Sequence, residues 1–199
     1  MENSSYHPYV TERIRRFDGT LIGGCYLAPF MYFEQESTAL LNGSNIVSNH
    51  NQLSDALELI IIPLMGNSLA HFLQAPENYS RLQIKNVRIA INYANLVMYG
   101  TALRKAAQHF SFWIYDLAPP GTCWENITSF PFSGIVLTDE FFNDNYLKFS
   151  FPFLLGSCRE REAEVILRTQ QLSLPMAKYE DLQISGWQEQ RTSTRLIEV

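Results

Sequence analysis

The sequence lacks long apolar runs, long basic stretches and paired metal-binding residues, and each absence excludes a class of protein. Its longest apolar runs, such as residues 59–65 and 149–155, fall far short of the ~20 residues of a membrane-spanning helix. A net charge of −5, with no basic stretch longer than Arg15-Arg16, argues against a nucleic-acid partner. Because no histidines, cysteines or carboxylates recur at ligand spacing and no glycine-rich phosphate loop occurs, we expect no metal and no cofactor.

Cysteine is scarce as well, which bears on the compartment. The three cysteines, Cys25, Cys123 and Cys158, are odd in number and widely spaced, so they fit neither a disulfide framework nor a C-x-x-C clip. Residues 1–9 are polar and have no apolar segment typical of a secretory signal. We therefore expect free thiols in a reducing cytoplasm and no membrane association.

Apolar and aromatic residues are abundant. They make up 46% and 13% of the 199 residues, which is ample for a folded core and favours sheets and lined cavities. The length suits one domain with an appendage. We expect a domain over residues 1–132 and a C-terminal extension over residues 133–199, built from strands and a helix. The sequence leaves open whether this extension packs over a pocket mouth or along a sheet.

The order of the local patterns predicts the fold class. Apolar spacings of three and four predict a helix over residues 9–23, followed by a short hairpin over 30–41 and a second helix from about residue 48, interrupted at Pro63. Four strands are predicted over residues 81–92, 93–104, 108–117 and 123–132. In the extension, residues 134–138 and 147–155 read as strands and 159–172 as a helix. The expected fold is α+β, a curved antiparallel sheet wrapped around helices in a cone-shaped α-β-β-α-β-β-β-β order.

Three segments resemble a known superfamily over about residues 6–132. They are RFDGTLIGGCYLAPFMYF (16–33), GSNIVSNHNQL (43–53) and the strand series ending FSFWIYDL and CWENITSF. In pattern and element order they resemble the nuclear-transport-factor-2-like superfamily, which includes SnoaL-like cyclases and ketosteroid isomerase. The resemblance implies a helix-capped concave sheet with a pocket open at one end, and frequent dimerisation. The acidic residue that isomerase-like members carry beside an early proline is absent here, since Ala28 precedes Pro29.

Two functions follow from such a pocket. The first is a small-molecule-binding or scaffold protein with an apolar, aromatic-lined pocket and no recognisable catalytic constellation. The alternative is a cofactor-independent isomerase, cyclase or dehydratase that acts on a small hydrophobic carbonyl compound by acid–base chemistry. The residues that would contact a small hydrophobic ligand are aromatic, although aromatic residues in sheets more often serve packing: Tyr26, Phe30, Tyr32, Phe72, Tyr99, Trp113 and Tyr115.

The catalytic candidates are three ionisable residues, each with a structural alternative. Asp18 is either an acid–base group or a turn residue that bonds to local backbone. His71 is either a proton shuttle or a histidine satisfied at the edge of the core. Asp116 shares a strand face with Phe110, Phe112 and Ile114, so it points into the pocket unless the strand has already ended at the rim. Tyr32 or Tyr115 would then donate to a developing oxyanion.

The segment FSFWIYDL carries large apolar residues on both faces, and this predicts an assembly. Only one face can look into the cone, so the other must be covered. We expect a homodimer that buries the outer face; the alternative is that residues 134–172 fold back over it.

Overall fold

The computed structural model describes residues 10–27, 59–115, 117 and 122–191. Eight strands in this part of the chain form a closed barrel: β1 Val10–Arg15, β2 Leu21–Leu27, β3 Leu59–Pro63, β4 Val87–Ile91, β5 Phe112–Tyr115, β6 Gly134–Thr138, β7 Glu164–Thr169 and β8 Gly186–Glu189. The connecting helices are α1 Gly66–Gln74, α2 Tyr93–Ala106, α3 Trp124–Thr128, α4 Asp139–Asn145, α5 Phe151–Glu160 and α6 Met176–Asp181, with a 3₁₀ helix at Pro76–Gln83.

The barrel is parallel except for its first strand. β1 is antiparallel to β2 on one side and to β8 on the other. From β2 to β8 every neighbouring pair is parallel. From β3 onward each described connection carries at least one helix, as parallel pairing requires. The expected α+β cone with a curved antiparallel sheet is therefore wrong.

The segment expected as a first helix is a β-hairpin. Asp18-Gly19 makes the turn between β1 and β2, with Gly19 at φ +88 and hydrogen bonds between Arg16 and Thr20 and from the Gly19 N–H to the Arg16 carbonyl. An Asp-Gly pair between alternating residues is a strong hairpin signal. The spacing of Val10, Ile14 and Phe17 imitated a helical stripe, and this made the prediction over residues 9–23 wrong.

Several other segments predicted as strands form helices, and segments predicted as helices form strands. Residues 93–104 lie in α2, which Asn92 caps by accepting a hydrogen bond from the Asn95 N–H at 2.8 Å. Residues 123–132 include α3 rather than a strand, and the expected strand over 147–155 overlaps α5. The expected helix over 159–172 contains β7. The second helix is likewise wrong over Leu59–Pro63, which form β3; the hairpin at 30–41 and residues 48–58 lie outside the described residues.

Apolar side chains pack on both sides of the barrel wall, one layer inside the barrel and one between the barrel and the helices. Alternate residues of β5 separate them: Phe112 and Ile114 pack in the layer between barrel and helices, while Trp113 and Tyr115 fill the barrel. All four are fully buried. The expectation that both faces of this strand are covered is confirmed, and the cover comes from one chain.

The tail of the chain completes the barrel. β6 is confirmed at Gly134–Thr138, and β7 and β8 carry the sheet round to β1. The boundary expected at residue 132 lies between β5 and β6, and the division into residues 1–132 and 133–199 stays a prediction. Among the residues described here, no helix is long and apolar enough to span a membrane.

Candidate functional site

Buried polar side chains of the barrel lie together at one end, where the parallel strands finish. In barrels of this kind the loops at the carboxyl ends of the strands carry the functional residues. β1 runs in the opposite direction, so its first residues lie at that same end, with Glu12 paired to Cys25 of β2. Arg168 and Gln188 lie next to the last residues of β7 and β8. Three distant parts of the chain thus bring a carboxylate, a guanidinium and an amide together.

The centre of this polar cluster is a bidentate ion pair between Glu12 and Arg168. Arg168 Nε donates to Glu12 Oε2 at 2.7 Å, and Nη2 donates to Oε1 at 2.8 Å. The side chain of Arg168 is 4% exposed, and that of Glu12 is 0% exposed. Gln188 Nε2 donates to Glu12 Oε2 at 2.6 Å, and the backbone N–H of Arg191 donates to Oε1 at 3.1 Å. A buried charge is tolerated when it is paired and hydrogen-bonded in this way.

The pairing decides the charge states of both groups. Burial acts to raise the pKa of Glu12. The pKa nevertheless lies below its ordinary value, because Arg168 donates hydrogen bonds and carries a positive charge, and because Gln188 and the Arg191 N–H donate further hydrogen bonds. Burial acts to lower the pKa of Arg168, and the Glu12 carboxylate more than offsets this, so the pKa is raised. Both groups are therefore ionised at neutral pH.

Tyr115 and Cys25 extend the cluster into the barrel. Gln188 Nε2 also donates to the Tyr115 hydroxyl at 2.6 Å, and the Cys25 thiol lies 4.0 Å from that hydroxyl. Burial raises the pKa of the Cys25 thiol, and the Glu12 carboxylate raises it further, so the thiol stays protonated. A protonated, fully buried thiol is a poor nucleophile. Gln188 Oε1 is buried and has no hydrogen-bond partner among the described residues, which leaves one acceptor for a bound donor.

Two of the three catalytic candidates from the sequence, Asp18 and His71, lie away from this end of the barrel. Asp18 lies in the β1–β2 turn at the opposite end, where it is exposed and accepts a hydrogen bond from the Thr20 N–H at 2.8 Å. That backbone hydrogen bond lowers the pKa of Asp18. His71 is exposed on α1, with its ring edge-on to Tyr79. Asp116 lies outside the described residues. Asp18 and His71 therefore lie apart from each other, and neither belongs to the polar cluster.

The aromatic residues proposed for ligand binding are divided between the two layers. Trp113 and Tyr115 are inside the barrel, and Tyr26 and Phe72 are buried in the outer layer. Burial raises the pKa of Tyr26 to about 12. Tyr99 is partly buried against the outer layer and borders a surface cleft of about 410 Å³ beside α2. Phe30 and Tyr32 lie outside the described residues. The five described aromatic side chains therefore do not line a single cavity.

Sequence reasoning missed Glu12, Arg168 and Gln188. In VTERIR of β1, Glu12 and Ile14 share one face and Arg13 and Arg15 the other, and this alternation was the available signal. Nothing in the local sequence relates Glu12 to Arg168, which is 156 residues away.

No known protein-family profile matches this sequence, and no curated protein sequence matches it. Solved structures do match. Klebsiella pneumoniae BlrP1, in a complex with manganese and cyclic di-GMP, superposes with a TM-score of 0.74 at 14% identity over 94% of this chain and 56% of that one. An EAL domain protein from Listeria monocytogenes matches with a TM-score of 0.63 at 14% identity, covering 92% and 86%. The phosphodiesterase PaMucR, in complex with cyclic di-GMP, matches at 0.64 with 11% identity, covering 91% and 89%.

These matches establish the fold, which is similar to the EAL-type barrel. The chain spans little more than half of the BlrP1 chain. The resemblance to the nuclear-transport-factor-2-like superfamily is therefore wrong, because the solved structures similar to this chain are barrels and not cones. Both functions drawn from that resemblance, the apolar pocket protein and the isomerase-type enzyme, are wrong for the same reason. The cone that would enclose their pocket is replaced by a barrel filled with side chains.

Proposed function

We propose that this chain recognises a cyclic nucleotide, with cyclic di-GMP as the first candidate, at the carboxyl-terminal end of its barrel. One observation carries the proposal: the barrel matches, over 94% of this chain, a structure solved with cyclic di-GMP. In α/β barrels the loops at the carboxyl ends of the strands form the ligand site. The polar cluster of Glu12, Arg168 and Gln188 lies at this end, and the rest of the barrel interior is mostly apolar.

The chemistry of this end suits part of such a ligand. A cyclic dinucleotide offers phosphate anions and base edges that carry N–H donors. Arg191, two residues after the end of β8, is exposed. Its backbone N–H donates to Glu12, so its cationic side chain extends from a backbone position beside the polar cluster. Gln188 Oε1 supplies an acceptor without a partner among the described residues. The Glu12–Arg168 pair is fully buried and fixes both groups in position.

Titration calorimetry with cyclic di-GMP tests the proposal. We expect saturable binding to the wild-type chain, with the linear dinucleotide and cyclic AMP as specificity controls. Arg191→Ala should weaken binding about tenfold, since a hydrogen bond to a charged group contributes about 1.5–3 kcal/mol. Arg159→Ala is the matched control, because Arg159 is exposed in the last turn of α5, just before the amino end of β7. Absence of binding by the folded wild type, or equal losses in both variants, would contradict the proposal.

The proposed compartment is the cytoplasm. Cys25, Cys123 and Cys158 are all free, and Cys25 and Cys158 are buried as thiols. Free thiols suit a reducing compartment.

A further inference from the structure

The donor set at the carboxyl ends of the strands can be compared with the needs of a divalent cation, since BlrP1 was solved with manganese. Manganese favours carboxylate, carbonyl and water oxygens in octahedral geometry. Among the described residues, the last three positions of β2 to β8 and the position directly after each strand supply a thiol, amides, hydroxyls, a guanidinium and two carboxylates. The carboxylates belong to Asp139, which begins α4, and to Glu189 of β8, which is paired with Arg15. In residues 10–27, 59–115, 117 and 122–191, no three histidine, cysteine or acidic side chains form a group that could hold a metal.

Among the described residues, Glu12 is the carboxylate buried inside the barrel, and its two oxygens already accept four hydrogen bonds. A carboxylate has about four lone-pair sites. Glu12 Oε1 accepts from Arg168 Nη2 and the Arg191 N–H, and Oε2 accepts from Arg168 Nε and Gln188 Nε2. A metal ion bound to Glu12 would have to displace at least one of these donors.

Displacement would also place two positive charges side by side. Arg168 is 3% exposed and has the carboxylate of Glu12 as its counter-ion. A divalent cation that took this carboxylate would remove that counter-ion from a buried guanidinium and place a second cation close to it. Gln188 Oε1, the buried acceptor of this cluster without a partner among the described residues, is a single neutral ligand. The described residues of the barrel end therefore do not fit a divalent metal.

We infer that the Glu12–Arg168 ion pair closes this barrel end to divalent cations, so that the chain binds its nucleotide without a metal and does not carry out metal-dependent hydrolysis. The statement about the nucleotide rests on the proposed function. The statement about the cation rests on the ion pair alone, and the two can be tested separately.

Electron paramagnetic resonance of manganese tests the cation part without any nucleotide. Adding the wild-type chain to a manganese solution should leave the signal of the free ion unchanged. Stoichiometric loss of that signal would overturn the inference. This readout needs no variant, so no failure of folding can obscure it.

Calorimetry with cyclic di-GMP in EDTA and in manganese tests the nucleotide part. We expect affinities equal to within about twofold and no linear dinucleotide after prolonged incubation with manganese. Tightening of more than about tenfold by manganese, or turnover above that of the buffer, would overturn the inference. Lack of nucleotide binding in both buffers would instead refute the proposed function, and the resonance experiment would still decide the cation part.

Arg168→Glu tests whether the guanidinium is what excludes the ion. This variant places a second carboxylate beside Glu12, so manganese should now bind and raise the melting temperature, while Arg159→Glu, at an exposed position of α5, should show no such shift. If Arg168→Glu does not fold, Arg168→Gln removes the cation with less change. A folded variant that binds manganese no better than the wild type would overturn the role given to Arg168.

Discussion

Glu12 keeps its charge inside the barrel because donors from β7 and from the segment at the end of β8 surround its carboxylate. Arg168 and Gln188 reach it from β7 and β8, and the Arg191 N–H follows from the end of β8. Breaking such a buried pair on one side leaves the other charge unsolvated, which costs far more than loss of a surface pair. The stability of the closing strands β1, β7 and β8 therefore depends on one carboxylate.

Glu12→Gln should lower the free energy of unfolding by about 3–5 kcal/mol at pH 7, because it leaves Arg168 buried without a counter-ion. The pKa of Glu12 lies below its unfolded value near 4.5, so its contribution is complete above that value and is lost as the pH falls through the lower folded pKa. Urea unfolding at neutral and acid pH should thus show a smaller acid-induced loss in the variant. Glu160→Gln, exposed on α5, should change stability by less than about 0.5 kcal/mol. An equally small effect at Glu12 would contradict this assignment.

At the scale of elements, β5 and β6 show how the barrel is filled. Trp113 of β5 lies across Gly134, its paired residue in β6, and donates its indole N–H to Ser133 Oγ at 3.1 Å. A Cβ atom on Gly134 would overlap the Trp113 ring. The large residue on one strand thus requires the absence of a side chain on the next, as in a close-packed interior.

Gly134→Ala should destabilise the chain by at least about 1–3 kcal/mol, because the indole can move only by disturbing other buried side chains. Gly156→Ala is the matched control: nothing lies within 4 Å of a Cβ at that position in the middle of α5. There, replacement of a helical glycine should stabilise by about 0.5–1 kcal/mol. Thermal and urea unfolding of both variants measure the difference. The same small effect at both positions would show that Trp113 does not pack as described.

At the scale of the whole molecule, the barrel removes the original reason for expecting a homodimer. A dimer was expected because one face of residues 110–117 seemed to need a partner chain. In the structure the helices cover Phe112 and Ile114, and the barrel interior takes up Trp113 and Tyr115. Large apolar side chains are exposed elsewhere, among them Leu147, Phe149 and Phe153 at 83%, 86% and 65%.

We retain the homodimer as a prediction, now based on these exposed apolar side chains and on the commonness of twofold pairing. Static light scattering at micromolar concentration should give about twice the chain mass of 22.9 kDa. A mass equal to that of one chain, unchanged on concentration, would contradict the dimer. Measurement with and without cyclic di-GMP would separate intrinsic association from association that depends on ligand.

The sequence by itself determined the parts of the structure that depend on local burial. It predicted a strand covered on both faces within residues 110–117, which the structure confirms for Phe112–Tyr115, and it located the strand Gly134–Thr138. It failed where short apolar runs suit a helix as well as a strand, as at residues 93–104, which form a helix, and residues 59–63, which form a strand. At Asp18-Gly19 the sequence contains a hairpin signal, but the apolar spacing on either side of it also fits a helix.

Only the tertiary structure decided the barrel and the site. Closure requires β1 to run against both of its neighbours and β2 to β8 to run parallel, and this pairing is set by contacts between residues far apart in the chain. Those same contacts bring Glu12 to Arg168 across 156 positions. Hydrophobic periodicity indicates which face of a strand or helix is buried. It carries no information on which distant strand will pair with that strand. For that reason the alternation in β1 can place Glu12 on a strand face, but it cannot show that Arg168 and Gln188 lie beside it.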